Sequence, residues 1–181
     1  MEQLNYKMEI LLELLRDKNH IRGLAKLVKT NHMNIKRRVD ELFENNVLDY
    51  KEEGKNKTYF IKNSEEARIN VMIAEHYKLL KLLKKYPEIR STIEKLEKTR
   101  VDIILIFGSY AKFIAKEDSD IDIFMKTNKR KIKTDLEITD SKLSIKIGEY
   151  DKNSPLGKEI EKNHVILRGA EDYYEKLGFF S

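Results

Sequence analysis

Residues 107–125 read FGSYAKFIAKEDSDIDIFM. The pair Gly108-Ser109 follows the apolar run VDIILIF at positions 101–107. A ten-residue spacer then separates Ser109 from Asp120-Ile121-Asp122, which opens a second apolar run. The first run predicts a strand buried on both faces. At Gly108 it hands over to a helix start, whose unpaired N–H groups and partial positive charge suit phosphate oxygens. Glycine lets backbone approach a ligand closely, and serine adds a hydroxyl donor. Asp120 and Asp122 stand two positions apart, so both project from one face of their strand. Carboxylates that close repel one another, and a divalent cation such as Mg²⁺ or Mn²⁺ relieves the repulsion. The competing reading of the pair is structural, an acidic strand mouth with no ligand.

Around this stretch the pattern predicts further strands over 121–126 and 143–150. A helix opens at Ser154-Pro155 and runs through Lys162, a short extended piece follows over 164–167, and GAEDYYEKL (169–177) forms a closing helix. Tyr173, Tyr174, Phe179 and Phe180 are expected to pack that last helix on the sheet. Positions 64–98 carry no strand signal. Ser64 opens a helix whose apolar stripe includes Ala74, Tyr77, Leu80 and Leu83. Pro87 interrupts it, and Ile89, Ile93 and Leu96 mark a second helix. This segment is expected to be a connector and to offer a homodimer contact.

Positions 1–62 follow a different order. Leu4, Met8, Leu11, Leu12 and Leu15 recur at helical spacing, and Asp17, Lys18 and Asn19 break the pattern. Ile21, Leu24, Ala25 and Val28 line a second helix. After the turn at Thr30-Asn31, a third helix over 32–44 is expected to bury Ile35, Val39, Leu42 and Phe43. Val47, Leu48 and Tyr50 then pair with Thr58–Ile61 across the polar tip EEGKNK. Three helices and a basic-tipped hairpin resemble a winged helix-turn-helix. The resemblance implies DNA as a partner. Asn34, Lys36, Arg37 and Arg38 would stand on the helix that enters the major groove, and Lys55 and Lys57 on a hairpin lying along the backbone. The alternative use of such a module is dimerisation or protein docking. The segment holds 13 Lys and Arg against 10 Asp and Glu, so its cations are concentrated rather than abundant.

Composition sets outer limits. The chain has 181 residues, of which 40% are hydrophobic and 37% charged. That apolar share is enough for packed cores. The net charge of +5 permits nucleic-acid binding without requiring it. The absence of cysteine excludes disulfides, thiol nucleophiles and thiolate zinc sites. The four histidines show no ligand spacing. No stretch is apolar for long enough to span a membrane, and the N-terminus lacks a signal-peptide pattern, so a cytoplasmic location is expected.

The joint motif GSYAKFIAKEDSDID resembles the signature of the polymerase β-like nucleotidyltransferases, above all their minimal domains, over about residues 100–170. The expected fold class is therefore α+β: a winged helix-turn-helix over 1–62, a helical connector over 63–98, and a nucleotidyltransferase fold with a mixed sheet over 99–181. The resemblance implies that Gly108 and Ser109, with Lys112, contact the triphosphate of an NTP such as ATP. It implies that Asp120 and Asp122 are catalytic and hold the Mg²⁺ or Mn²⁺. It also implies a helical partner protein, with which such small domains act.

Two departures qualify the likeness. Lys112-Phe113 stands where the family has Arg-Gly, so a differently shaped loop is expected. Lys146 falls where a third carboxylate is expected, with Glu149 or Glu137 as substitutes. Two functions follow from this: Mg²⁺-dependent transfer of a nucleoside monophosphate to an acceptor, or a DNA-binding regulator whose degenerate domain senses nucleotide or mediates assembly.

Overall fold

The computed structural model describes residues 5–54 and 56–180, and the chain divides into two compact units, 1–77 with 180–181, and 78–179.

The first unit is built from α1 (Tyr6–Leu14), β1 (Asn19–His20), α2 (Ile21–Val28), α3 (His32–Glu44), β2 (Leu48–Glu53) and β3 (Asn56–Ile61). Asn5 caps α1 and Asn31 caps α3, each side-chain oxygen accepting a backbone N–H one turn on. Both pairings of β3 are antiparallel, giving the order β1-β3-β2. Met8, Ile10, Leu11 and Leu14 of α1 close on Leu24 and Val28 of α2 and on Ile35, Val39 and Leu42 of α3. Leu4, expected on the same stripe, lies outside the described residues. Phe43, expected in this core, is 43% exposed and lies instead against Tyr50, with ring centroids 5.6 Å apart. On a helix of about 3.6 residues per turn it falls one step past Leu42, off the buried stripe.

The helix α4 (Glu65–Lys85) follows, contributing Ala67 and Ala74 to the first unit's core and Leu82 to the second's. Leu80 departs from the expected stripe and is 65% exposed.

After α4, a 3-10 turn at Pro87–Ile89 leads into α5 (Arg90–Lys98), then β4 (Ile104–Ile106), α6 (Gly108–Ala111) and β5 (Ile121–Met125). There follow α7 (Arg130–Thr139), β6 (Leu143–Ile147), α8 (Pro155–Lys162), β7 (Val165–Arg168) and α9 (Ala170–Leu177). The sheet order is β6-β5-β4-β7. β4 pairs antiparallel with β5 and with β7, whereas β5 and β6 run parallel, so the sheet is mixed as expected. A parallel pair needs a crossover, and α7 supplies it. One sheet face carries Ile104, Ile106, Ile121, Ile123, Met125, Leu143 and Ile145 into a core with Ile93 and Leu96 of α5. Ile123 is fully buried. Burial of a side chain of that size contributes about 1.5–3 kcal/mol.

The strand expected over 101–107 is reduced to Ile104–Ile106. Arg100 takes a left-handed φ of 57° and Asp102 is exposed, so the chain enters the sheet late although Val101 and Ile103 are buried. β6 likewise ends at Ile147, before Gly148. Among the described residues, no helix is long and apolar enough to cross a membrane.

Candidate active site

The site is assembled where β4 ends. The Phe107 N–H donates to the Asp122 carbonyl at 2.9 Å, which extends the β4–β5 ladder by one step. The chain then turns sharply, with Gly108 at φ 67° opening α6. That turn brings the residue-108 backbone against the Asp122 side chain. A Cβ placed on Gly108 would lie 2.1 Å from Asp122 Oδ2 and 3.0 Å from its Cγ. Glycine is thus required twice over, by the left-handed φ and by the carboxylate.

Asp122 is half-buried at the β5 edge of this turn and Asp120 is exposed just before the strand. Their alternation with Ile121 and Ile123, both in the core, points the two aspartates away from it. Burial pushes the Asp122 carboxyl above the ordinary aspartate range. The Ser144 hydroxyl, which donates to it, pulls the other way, while the charges of Asp120 and Glu159 push further up and Lys146 draws it down.

In the parallel β5–β6 pair, Ser144 stands abreast of Asp122 and Lys146 abreast of Phe124. Ser144 is therefore the nearer β6 neighbour of the acid pair, and Lys146 is exposed two pairs further along, on the same face. The two proposed substitutes for a third carboxylate have other employment. Glu137 Oε1 accepts the Ile145 N–H at 3.0 Å and lies 3.7 Å from Lys133 Nζ, and the exposed Glu149 lies 4.0 Å from Lys176 Nζ. The acid that acts on Asp122 without having been singled out by spacing is Glu159, one turn into α8.

Lys112 is exposed at the C-cap of α6. Phe113, where a glycine was expected, adopts a left-handed φ of 57°, a conformation that glycine favours. Lys85 Nζ donates to the Phe113 carbonyl, and the Lys81 ammonium sits 5.9 Å from the Phe113 ring centre. The ring is also packed on the core.

The donor set can be weighed against a divalent cation. Among the described residues, no group of three or more His, Cys, Asp or Glu is arranged to hold a metal. Two carboxylates on one strand face, one of them short of solvation, suit an ion that brings phosphate oxygens with it. Mg²⁺ is commonly held by one or two carboxylates plus substrate phosphates.

Residues 88–172 match the family described as polymerase beta, nucleotidyltransferase. The matched residues span the whole mixed sheet together with α5 and α8, and both aspartates and the Gly-Ser turn lie among them. No curated protein matches the chain.

The residues expected to meet DNA lie in the first unit. The Asn34 amide is engaged locally, donating to Thr30 Oγ1 at 3.2 Å. Lys36 pairs with Asp40 at 2.6 Å, and Arg38 with Glu41 at 3.1 Å, Glu41 also receiving Lys7 at 2.8 Å. Arg37 is the α3 cation with no ion-pair partner among the described residues. It lines a shallow depression with Met33, Lys36, Asp40 and Glu44. Lys57 lies 3.8 Å from the Tyr50 ring centre, and Lys55 falls outside the described residues. Met33, exposed at the start of α3 beside His32, is a candidate that carries no charge to mark it in the sequence.

Proposed function

We propose that the second unit binds a Mg²⁺–NTP at Gly108, Ser109, Asp120 and Asp122 and transfers its nucleoside monophosphate to an acceptor hydroxyl. The observation that carries this reading is the packing of the Gly108 backbone on the Asp122 carboxylate, which joins the phosphate-facing turn and the acid pair into one site. The N–H groups of the α6 first turn and the Ser109 hydroxyl hold the triphosphate. Lys112 adds a point charge to it, without the bidentate fork of an arginine. Asp120 and Asp122 would hold the ion, which when bound neutralises charge building on the phosphoryl oxygens. Gly108, lacking a side chain, lets the turn pack directly on the Asp122 carboxylate. Ser144 fixes the Asp122 carboxylate by its hydrogen bond. The acceptor oxygen then bonds to the α-phosphorus, pyrophosphate leaves, and the acceptor proton passes to water.

A second reading is favoured by the β6 residues abreast of the acids. Serine and lysine, in place of a further carboxylate, suit a site that holds one cation with its nucleotide and does not turn it over. We further propose that the first unit is a winged helix-turn-helix that binds DNA. Its support is the element order α1-β1-α2-α3-β2-β3 and the exposed Arg37.

Isothermal titration of ATP with and without Mg²⁺, followed by transfer assays with α-labelled NTP, tests both readings. Mg²⁺-dependent binding with labelled product supports transfer, and binding without product supports sensing. Absence of Mg²⁺-dependent binding removes both.

A further inference from the structure

Positions 126–133 read KTNKRKIK, a run rich in lysine and arginine with no acid in it. They form the passage from the end of β5 into the first turn of α7. Lys133 is neutralised by Glu137 at 3.7 Å. Lys126, Lys129, Arg130 and Lys131 have no ion-pair partner among the described residues, and the last three are exposed.

The arrangement does not favour its own helix. Arg130 and Lys131 stand in the first turn of α7, where the helix dipole disfavours cations, and that turn holds no acid and no side-chain cap. Like charges so close also repel one another. Lys7, Lys18 and Lys36, by contrast, each find a carboxylate. A cluster left uncompensated at a cost to its own helix is suited to an external polyanion.

We infer that Lys126, Lys129, Arg130 and Lys131 form a surface of the second unit that binds the phosphate backbone of a nucleic acid. Thr127 and Asn128 are interleaved with the cations, and short polar side chains beside Lys and Arg are what phosphate and sugar contacts use. No aromatic side chain lies in the segment to anchor it in a lipid interface. The surface is separate from the acid pair. Lys126 lies four positions beyond Asp122, about 13 Å along a strand, so nucleotide binding and backbone binding are independent properties.

The test uses the full chain and a labelled oligonucleotide of arbitrary sequence, single-stranded and as a duplex, across a salt series. The triple variant Lys129→Ser, Arg130→Ser, Lys131→Ser should bind both forms more weakly at low salt, by about tenfold or more. Its slope of log affinity against log salt should flatten by about 2, since three phosphate contacts each contribute about 0.7–0.9. A control of equal charge change, Lys95→Ser, Lys98→Ser, Lys158→Ser, should bind as the parent does. Equal loss in both variants, or no loss in the first, overturns the proposal. So does parent binding to polyglutamate or to anionic phospholipid vesicles as tight as to the oligonucleotide. Mg²⁺–ATP titration of the same triple variant reports separately on the nucleotide site, and should match the parent.

Discussion

The Asp122 carboxylate occupies the space that a side chain at Gly108 would need, with Oδ2 2.1 Å from the position of a Cβ there. Gly108→Ala therefore forces either the carboxylate or the turn to move. It also puts a Cβ on a backbone at φ 67°. The left-handed conformation alone costs a non-glycine residue about 1–2 kcal/mol. With the clash added, stability in urea melts should fall by about 2 kcal/mol or more. Mg²⁺-dependent ATP binding should be lost by titration. A variant that keeps both would detach the turn from the site.

Asp122→Asn separates binding from stability. Burial raises the Asp122 pKa in the folded chain, so the native state holds this proton to higher pH than the unfolded chain does. The penalty for its charge is fully present above the folded pKa and is relieved as pH falls through it toward the ordinary value of 3.8. At neutral pH the metal-free Asn variant should thus melt higher than the parent, with the advantage shrinking in acid. Its Mg²⁺-dependent ATP affinity should fall by about tenfold or more, as a charged metal ligand is lost. A lower melting temperature at neutral pH would show that the carboxylate is held by contacts worth more than its desolvation.

The β6 register makes its own prediction. Ser144→Asp places a third carboxylate abreast of Asp122, whereas Lys146→Asp places it two pairs further on, abreast of Phe124. Added ligand charge raises affinity, so Mn²⁺ should bind about tenfold more tightly to the first variant, with a smaller gain in the second. The reverse order, measured by titration, would return Lys146 to the central position that sequence spacing assigned it.

Much of this geometry was legible because its signals are local. A Gly-Ser pair after an apolar run, an alternating Asp-Ile-Asp and the continuous apolar run itself each declare themselves over a short span. What stayed hidden depends on partners distant in sequence. β1 is only Asn19 and His20, and it exists because Tyr59 and Thr58 of β3 pair with it. α7 leaves little trace in the sequence between two evident strands. It buries only Leu136, so its apolar stripe is faint, yet the parallel β5–β6 pair requires a crossover there. Glu159 and Ser144 reach Asp122 only through the β5–β6 register and the return of α8, which no spacing rule supplies. Lys36 and Arg38 looked like free cations in the sequence, and their acids one turn on compensate them.

Phe113→Gly tests whether the loop needs its side chain. The residue already holds φ 57°. Glycine there relieves about 1–2 kcal/mol of backbone strain. It also removes a ring packed on the core, at a cost that exceeds the gain. Stability should fall by about 1 kcal/mol in urea melts. ATP affinity should stay within about twofold of the parent. A large loss of nucleotide binding would place the Phe113 ring in the site itself.

Arg37→Ala and Lys36→Ala should differ if α3 reads DNA. Arg37 is uncompensated, so removing it should weaken duplex binding by about 1–3 kcal/mol if it meets a base edge and relax preference at one position. Lys36 must first leave Asp40, 2.6 Å away, before it can meet a phosphate, so its loss should be smaller and uniform across sequences. Anisotropy titrations over a panel of duplexes measure both. Equal, sequence-independent losses would make α3 a backbone contact alone, and no loss from either would leave the first unit a protein-docking module.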